Sequence, residues 1–142
     1  MKYHRQIAVS LGTVIAVLLT CASTWAESWK KVESPDEIRK LIVGKALDGN
    51  YWRFYFRSDG NLAYEQGGFI SVREWNIDAN GAICMNIYSM PDKRLGCEVL
   101  SISDGTPTEY RLEGKTGQHK VQIVDPNQAL IDAVVEKAGR VD

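Results

Sequence analysis

Hydrophobic and polar positions change their spacing along the chain, and each spacing predicts a different element. Residues 7–19 are almost continuously apolar, whereas residues 34–44 repeat apolar positions at helical intervals. From residue 51 onward the period changes to two. Helical spacing indicates an amphipathic helix, and a period of two indicates half-buried strands. The pattern therefore predicts an apolar leader, then a short helix, then a series of strands.

The predicted helix has recognisable signals at both ends. Ser34 is suited to cap its first N–H groups, Pro35 fits the first helical position, and Glu37 completes a Ser-x-x-Glu capping box. Gly44 suits the left-handed conformation that ends a helix. The apolar residues that share one face are Ile38, Leu41 and Ile42. We expect this face to pack against a sheet.

Short strands separated by turn residues follow the helix. The expected strands are residues 51–57, 62–66, 69–77, 82–88, 95–102, 108–112 and 118–124. The segments Ser58–Asn61 and Asp78–Gly81 have turn chemistry, and Pro91 marks a further turn. Turn signals at intervals of roughly 8 to 14 residues are typical of an antiparallel meander. Asp78 and Asn80 also resemble the start of a calcium loop, but the later ligands are missing, so we expect a simple turn.

Helical spacing returns over residues 128–140, with Asp125 as a plausible cap and Pro126 at the first helical position. Several β-branched residues lower the helix propensity, so a last strand is the alternative. No linker or internal repeat divides residues 27–142. The sequence predicts one mainly β (α+β) domain, an antiparallel meander barrel or sandwich of about six or seven strands with a short N-terminal and a C-terminal helix.

The first 26 residues have the organisation of a secretory signal peptide. Lys2 and Arg5 precede the apolar stretch, and small residues surround a favoured cleavage site after Ala26. The apolar stretch is shorter than the ~20 residues of a spanning helix, so we expect no integral membrane span. The mature protein is then periplasmic or secreted from a bacterium. The alternative is a lipoprotein anchored at Cys21, although Thr20 before it matches the lipobox poorly.

Removal of the leader changes the cysteine count and the charge. Of three cysteines, Cys84 and Cys97 remain, and an oxidising compartment favours a disulfide between them. If Met90 and Pro91 form the centre of a hairpin, these cysteines lie directly opposite each other. The mature chain keeps 15 basic and 18 acidic residues, a net charge of −3. A mildly acidic protein without a basic patch is not expected to bind nucleic acid.

Candidate catalytic chemistry is sparse. After removal of the leader, His119 is the one histidine left, and its nearest ionisable neighbours in sequence are lysines. Because a general base needs a matched partner, we expect a surface or cavity-lining role for His119. Five acidic residues lie along the strands and turns, namely Asp59, Glu65, Glu74, Asp78 and Glu98. We expect them to be solvated or paired across strands. The sequence therefore predicts no catalytic residue, no metal site and no cofactor. We expect that the protein is not an enzyme.

The densest aromatic segment is residues 51–57. Trp52, Phe54 and Phe56 lie on one face and are expected to form core. The other face carries the candidate binding residues for a ligand or partner, Tyr51, Arg53, Tyr55 and Arg57. Tyrosine and arginine are favoured where proteins contact ligands and partners. The alternative is that these residues only cover the sheet.

The spacing of several residues resembles a group of short exported bacterial proteins of unknown function. The residues that carry the resemblance are Gly44, Trp52, Tyr55, Phe56, Asp59, Gly60, Gly68, Trp75, Asn80, Gly81, Cys84 and Cys97. The pattern covers roughly residues 44–100, and this chain departs from it where Arg73 and Glu74, rather than glycine, precede Trp75. The resemblance implies a small antiparallel β-barrel and a periplasmic address, but no catalytic residue.

Three functions follow as hypotheses. The first is a non-enzymatic periplasmic module that binds a small apolar or aromatic ligand inside a lipocalin-like barrel. The second is a protein interaction module, such as an envelope-enzyme inhibitor or accessory subunit. The third is a small carboxylate-dependent hydrolase, which requires two acids in one cleft. An internal cavity of at least ~300 Å³ favours the first hypothesis, whereas a filled barrel with an exposed aromatic patch favours the second.

We expect the exported protein to begin at Glu27, because cleavage after Ala26 removes the whole apolar leader. Intact mass spectrometry of the protein from its native host measures this directly. A mass that includes a lipidated Cys21, or an uncleaved leader, contradicts the prediction.

Overall fold

The computed structural model describes residues 27–86 and 96–139. Some predictions made above concern residues outside these ranges. They are the signal peptide at residues 1–26, the lipidation site at Cys21 and the hairpin centre at Met90 and Pro91. No helix in the described ranges is long and apolar enough to cross a membrane.

Nine strands and two helices form within the described ranges. In chain order they are β1 (Trp29–Lys31), α1 (Pro35–Ile42), β2 (Ala46–Asp48), β3 (Trp52–Phe56), β4 (Asn61–Gln66), β5 (Phe69–Ile77), β6 (Ala82–Met85), β7 (Cys97–Ser103), β8 (Tyr110–Gly114), β9 (Gly117–Val124) and α2 (Gln128–Ala138). Strands β2 to β9 pair antiparallel in sequence order, and β9 pairs with β2. The result is a closed eight-stranded meander barrel, with β1 added outside it on β7.

The prediction of a mainly β antiparallel fold with flanking helices is confirmed, and the barrel replaces the sandwich alternative. The predicted strand count was wrong, because β1 and β2 have only three residues each and show no alternation. The first helix is consequently not N-terminal in the described chain, since β1 precedes it. The cap of the second helix was also wrong: Asn127 accepts the N–H of Leu130, while Asp125 pairs with Lys45.

Alternation along the strands fills the barrel with apolar side chains. Phe54 and Phe56 are buried and Trp52 is partly buried in the main core cluster, as expected for that face. α1 closes one end of the barrel: its Ile38 and Ile42 are fully buried in the same cluster. The following Gly44, whose φ of +76° favours glycine, donates its N–H to the carbonyl of the last β3 residue.

The second helix, α2, packs on the outside of the barrel against β4 and β5. Its Leu130 and Val134 are fully buried against Ala63. Tyr55 of β3 packs against the same cluster from the outer face of the sheet. The barrel wall therefore has apolar contacts on both faces under α2.

Arg57 connects the end of α2 to the turn between β3 and β4. Its side chain is 5% exposed, and its guanidinium donates to the carbonyl of Gly139 and to the carboxylate of Asp59. Burial of the Asp59 carboxyl opposes ionisation, but hydrogen bonds from Asn61 and Arg57 outweigh it and lower the pKa. Arg57 is therefore a structural residue that holds α2 against the barrel.

The predicted disulfide between Cys84 and Cys97 is confirmed. The two residues are register partners on β6 and β7, with Cα atoms 3.9 Å apart. Closing a loop of 13 residues stabilises the fold by about 3 kcal/mol in the chain-entropy description. Oxidation therefore strengthens the join between β6 and β7.

We expect Arg57→Met to lower the free energy of unfolding by about 2–3 kcal/mol, because it removes charge-assisted hydrogen bonds from a buried position. Urea denaturation measures the loss. Arg53→Met is the matched control on the same face, because the Arg53 side chain is 43% exposed. Its loss in the free energy of unfolding should be about 1 kcal/mol or less. Equal losses in the two variants would contradict the structural role of Arg57.

Candidate functional site: a pocket in the open end of the barrel

The end of the barrel opposite α1 contains a pocket of about 570 Å³. It lies where the turns β2–β3, β4–β5 and β8–β9 meet. The residues that line it are Gly49, Asn50, Tyr51, Trp52, Phe54, Tyr64, Gln66, Glu98, Thr116, His119 and Lys120. A volume between 300 and 1,000 Å³ is roughly that of small-molecule sites. The pocket combines an aromatic wall with a few polar groups.

Among the described residues that line the pocket, Glu98 of β7 is the one with a carboxylate side chain. It lies two positions before the fully buried Leu100 on β7, so its side chain shares the interior face, and it is 6% exposed. Thr116 Oγ1 donates to Glu98 Oε1 at 3.5 Å. A Cβ on Gly114 would lie 2.8 Å from Glu98 Cγ. The glycine at this position of β8 therefore leaves the space that the glutamate side chain occupies.

His119 also faces the interior at the open end. It lies two positions before the buried Val121 on β9, and its ring meets that of Trp52 edge to face, with centroids 6.0 Å apart. It lines the same pocket as Glu98. Fold closure thus brings an acid and an imidazole from distant strands into one pocket.

Burial raises the pKa of the Glu98 carboxyl above its ordinary value of 4.5. The charge interaction with His119 and the hydrogen bond from Thr116 act in the opposite direction but do not cancel the effect of burial. The ionised carboxylate is therefore incompletely stabilised by its surroundings.

Three rings form the aromatic wall. Trp52 and Phe54 have centroids 4.6 Å apart, and Phe54 stacks on Tyr64 at 5.0 Å. A Cβ on Gly49 would approach the Trp52 ring to 2.4 Å, so this glycine allows the indole to lie against the backbone. The wall offers the flat apolar surface that aromatic or aliphatic ligands bury.

The four candidate binding residues from the sequence are not brought together as one open face. Tyr51 is 84% exposed at the mouth of the pocket, and Arg53 forms ion pairs with Asp48. Tyr55 packs beside α2 and Arg57 is buried beneath its C-terminal end. A binding role for these residues stays a prediction, with Tyr51 and Arg53 the more accessible pair.

The turn chemistry expected at Asp78 is present. Its Oδ1 accepts the N–H groups of Asn80 and Ala82, as in a simple turn. The ligand atoms of Asp78, Cys84 and Cys97 lie within 4.8 Å of one another. Both sulfurs are held in the disulfide and carry no thiolate charge, so this cluster does not fit a metal ion.

The sequence did not show that Glu98 and His119 share a pocket. We expected Glu98 to be solvated or paired across strands, and we considered only the sequence neighbours of His119, whereas β7 and β9 bring the two side chains into one pocket. A signal was present, because each polar residue precedes a buried apolar residue by two positions in a strand. Inward placement could have been inferred from that alternation, but not the proximity of the two side chains.

Comparison with known proteins finds no relative of the chain. No protein-family model matches it, and no curated protein or solved structure matches it either. The resemblance to short exported bacterial proteins stays a prediction. Function is therefore inferred from the geometry of the pocket.

We expect Glu98→Gln to raise the unfolding temperature at about pH 8 and to lose this advantage in acid. Because the folded-state pKa is raised, the folded protein favours the protonated carboxyl, and stability falls as pH rises through that pKa. Thermal unfolding across a pH series measures the effect. Glu113→Gln, on the exposed surface of β8, is the control. An advantage of Glu98→Gln that does not change with pH would contradict the prediction.

Proposed function

We propose that the protein binds a small ligand with an apolar or aromatic body in the open end of its barrel. The observation that carries this proposal is the pocket of about 570 Å³ with an aromatic wall and a buried acid. Eight-stranded barrels are just wide enough to enclose one small ligand, as lipocalins do. Among the described residues, α1 closes one end of the barrel, and the pocket lies at the other.

Binding is driven by removal of apolar surface from water. Trp52, Phe54 and Tyr64 supply the surface that the ligand covers. Gln66 and Asn50 at the mouth provide amide groups that can orient it. The rings pack on one another, so the wall is preformed and loses little conformational freedom on binding.

The carboxylate hydrolase is less well supported. Asp59 and Glu74 do line a second, outer hollow of about 380 Å³. However, the pKa of Asp59 is lowered, and its carboxylate is bound by Arg57. A general acid for this reaction needs a raised pKa. The Asp59 carboxyl therefore does not fit the role of general acid in this hollow.

The protein interaction hypothesis is supported by two exposed aromatic residues at the open end. Tyr51 and Phe69 are each 84% exposed. Arg53, in contrast, already pairs with Asp48 and Glu65. We favour the small ligand because the pocket is a larger and more specific feature than two separate rings.

We also propose that this binding takes place in the periplasm or outside the cell. The Cys84–Cys97 disulfide supports the proposal, because such bonds persist in oxidising compartments.

We expect the neutral aromatic probe 2-phenylethanol to bind and to quench tryptophan fluorescence, and Trp52→Leu to weaken its binding by about tenfold. The substitution removes an aromatic contact worth roughly 1 kcal/mol beyond the area it buries. Calorimetric titration gives the dissociation constants.

Trp29→Leu is the matched control, since Trp29 lies outside the pocket on β1 beneath Arg111. It should bind the probe as the parent protein does. Equal weakening in both variants, or no binding of the probe by the parent protein, would contradict the proposed function.

A further inference from the structure

We propose that the natural ligand carries an ammonium group, which pairs with the Glu98 carboxylate while the apolar body lies against Trp52 and Tyr64. This inference rests on the proposed function and assigns the chemical class of the ligand. It would make Glu98 the residue that selects amines over alcohols and acids of the same shape.

Glu98 has too few partners for a buried carboxylate. Within the described ranges, its only hydrogen bond comes from Thr116 and is long, at 3.5 Å. His119 acts on it through charge, but no ion pair within 4 Å joins them among the described residues. A carboxylate accepts several hydrogen bonds, and buried charges are normally paired. A ligand cation would supply the missing partner.

The lysine that lines the pocket is engaged elsewhere. The ammonium of Lys120 lies 3.1 Å from Glu27 and 5.7 Å from the Trp29 ring centroid. In the part of the chain that the structure describes, no lysine or arginine forms an ion pair with Glu98.

The aromatic wall also favours a cationic ligand. Ring faces carry partial negative charge and attract cations, most strongly at tryptophan. Trp52 and Tyr64 line the same pocket as Glu98, so rings and carboxylate favour the same sign of charge. An anionic ligand would meet the buried carboxylate and would be repelled. Ammonium recognition between an acid and aromatic rings therefore fits all of these groups.

The cost of burying Glu98 explains why this arrangement points to binding rather than to stability. A glutamate that is 6% exposed with one weak hydrogen bond destabilises the fold. An apolar residue at this position of β7 would continue the alternation seen at Leu100. The charge becomes favourable only when a cation is bound beside it.

The test uses three probes of matched shape: 2-phenylethylamine, 2-phenylethanol and 3-phenylpropanoate. Calorimetric titration at about pH 7.5 measures their binding to the mature protein and to Glu98→Gln. We expect the amine to bind the parent protein at least about tenfold more tightly than the alcohol, as for a hydrogen bond between charged groups. The carboxylate probe should bind most weakly.

Glu98→Gln should remove the preference for the amine and leave the affinity for 2-phenylethanol within about twofold. Glu113→Gln is the matched control, because its carboxylate pairs with Arg111 on the outer surface. This variant should keep the full preference for the amine.

The outcomes separate this inference from the proposed function. Binding of 2-phenylethanol as tight as that of the amine, or an amine preference that survives in Glu98→Gln, overturns the ammonium inference and leaves a binding pocket. Tightest binding of 3-phenylpropanoate overturns it in favour of His119 as the charged partner. Absence of binding by all three probes overturns both proposals. Because the comparison of probes on the parent protein is decisive, the inference is falsifiable even if Glu98→Gln does not fold.

Discussion

The pairing of β2 with β9 closes the sheet, and the interior that this closure creates positions the other features of the molecule. Only three residue pairs form the join, and an ion pair between Lys45 and Asp125 at 2.6 Å extends it. Once the barrel is closed, alternate side chains of every strand must face inward. Large apolar residues fill the end that α1 covers. At the other end, the same alternation places the aromatic rings, Glu98 and His119 around one pocket.

The two faces of β3 show how closure divides structure from candidate function. Its inward face supplies Phe56 to the core and Trp52 to the pocket. Its outward face is used mainly to attach other parts of the chain, with Tyr55 and Arg57 placed against α2. Aromatic and basic side chains on an exposed strand are therefore ambiguous in sequence. Their role depends on whether another element covers them, and here α2 covers Tyr55 and Arg57.

Much of the fold was predictable because the physical causes are local. Turn residues separate the longer strands, and capping residues mark the start of α1. The register of Cys84 opposite Cys97 followed from hairpin geometry alone. β1 and β2 were missed because three-residue strands contain too little alternation to be recognised. The cap of α2 was misplaced because Asp125 and Asn127 are both suitable caps, and a distant lysine engages Asp125.

The sequence by itself determined the class of the fold, the disulfide and the inward face of β3, since each depends on residues close together in a strand, turn or hairpin. Only the tertiary structure decided that the sheet closes and that α2 covers Tyr55 and Arg57. It also decided that Glu98 and His119 line one pocket, because β7 and β9 come together through the barrel rather than through the chain. The charge environment of a buried group is a sum over such distant neighbours, and no local pattern encodes it.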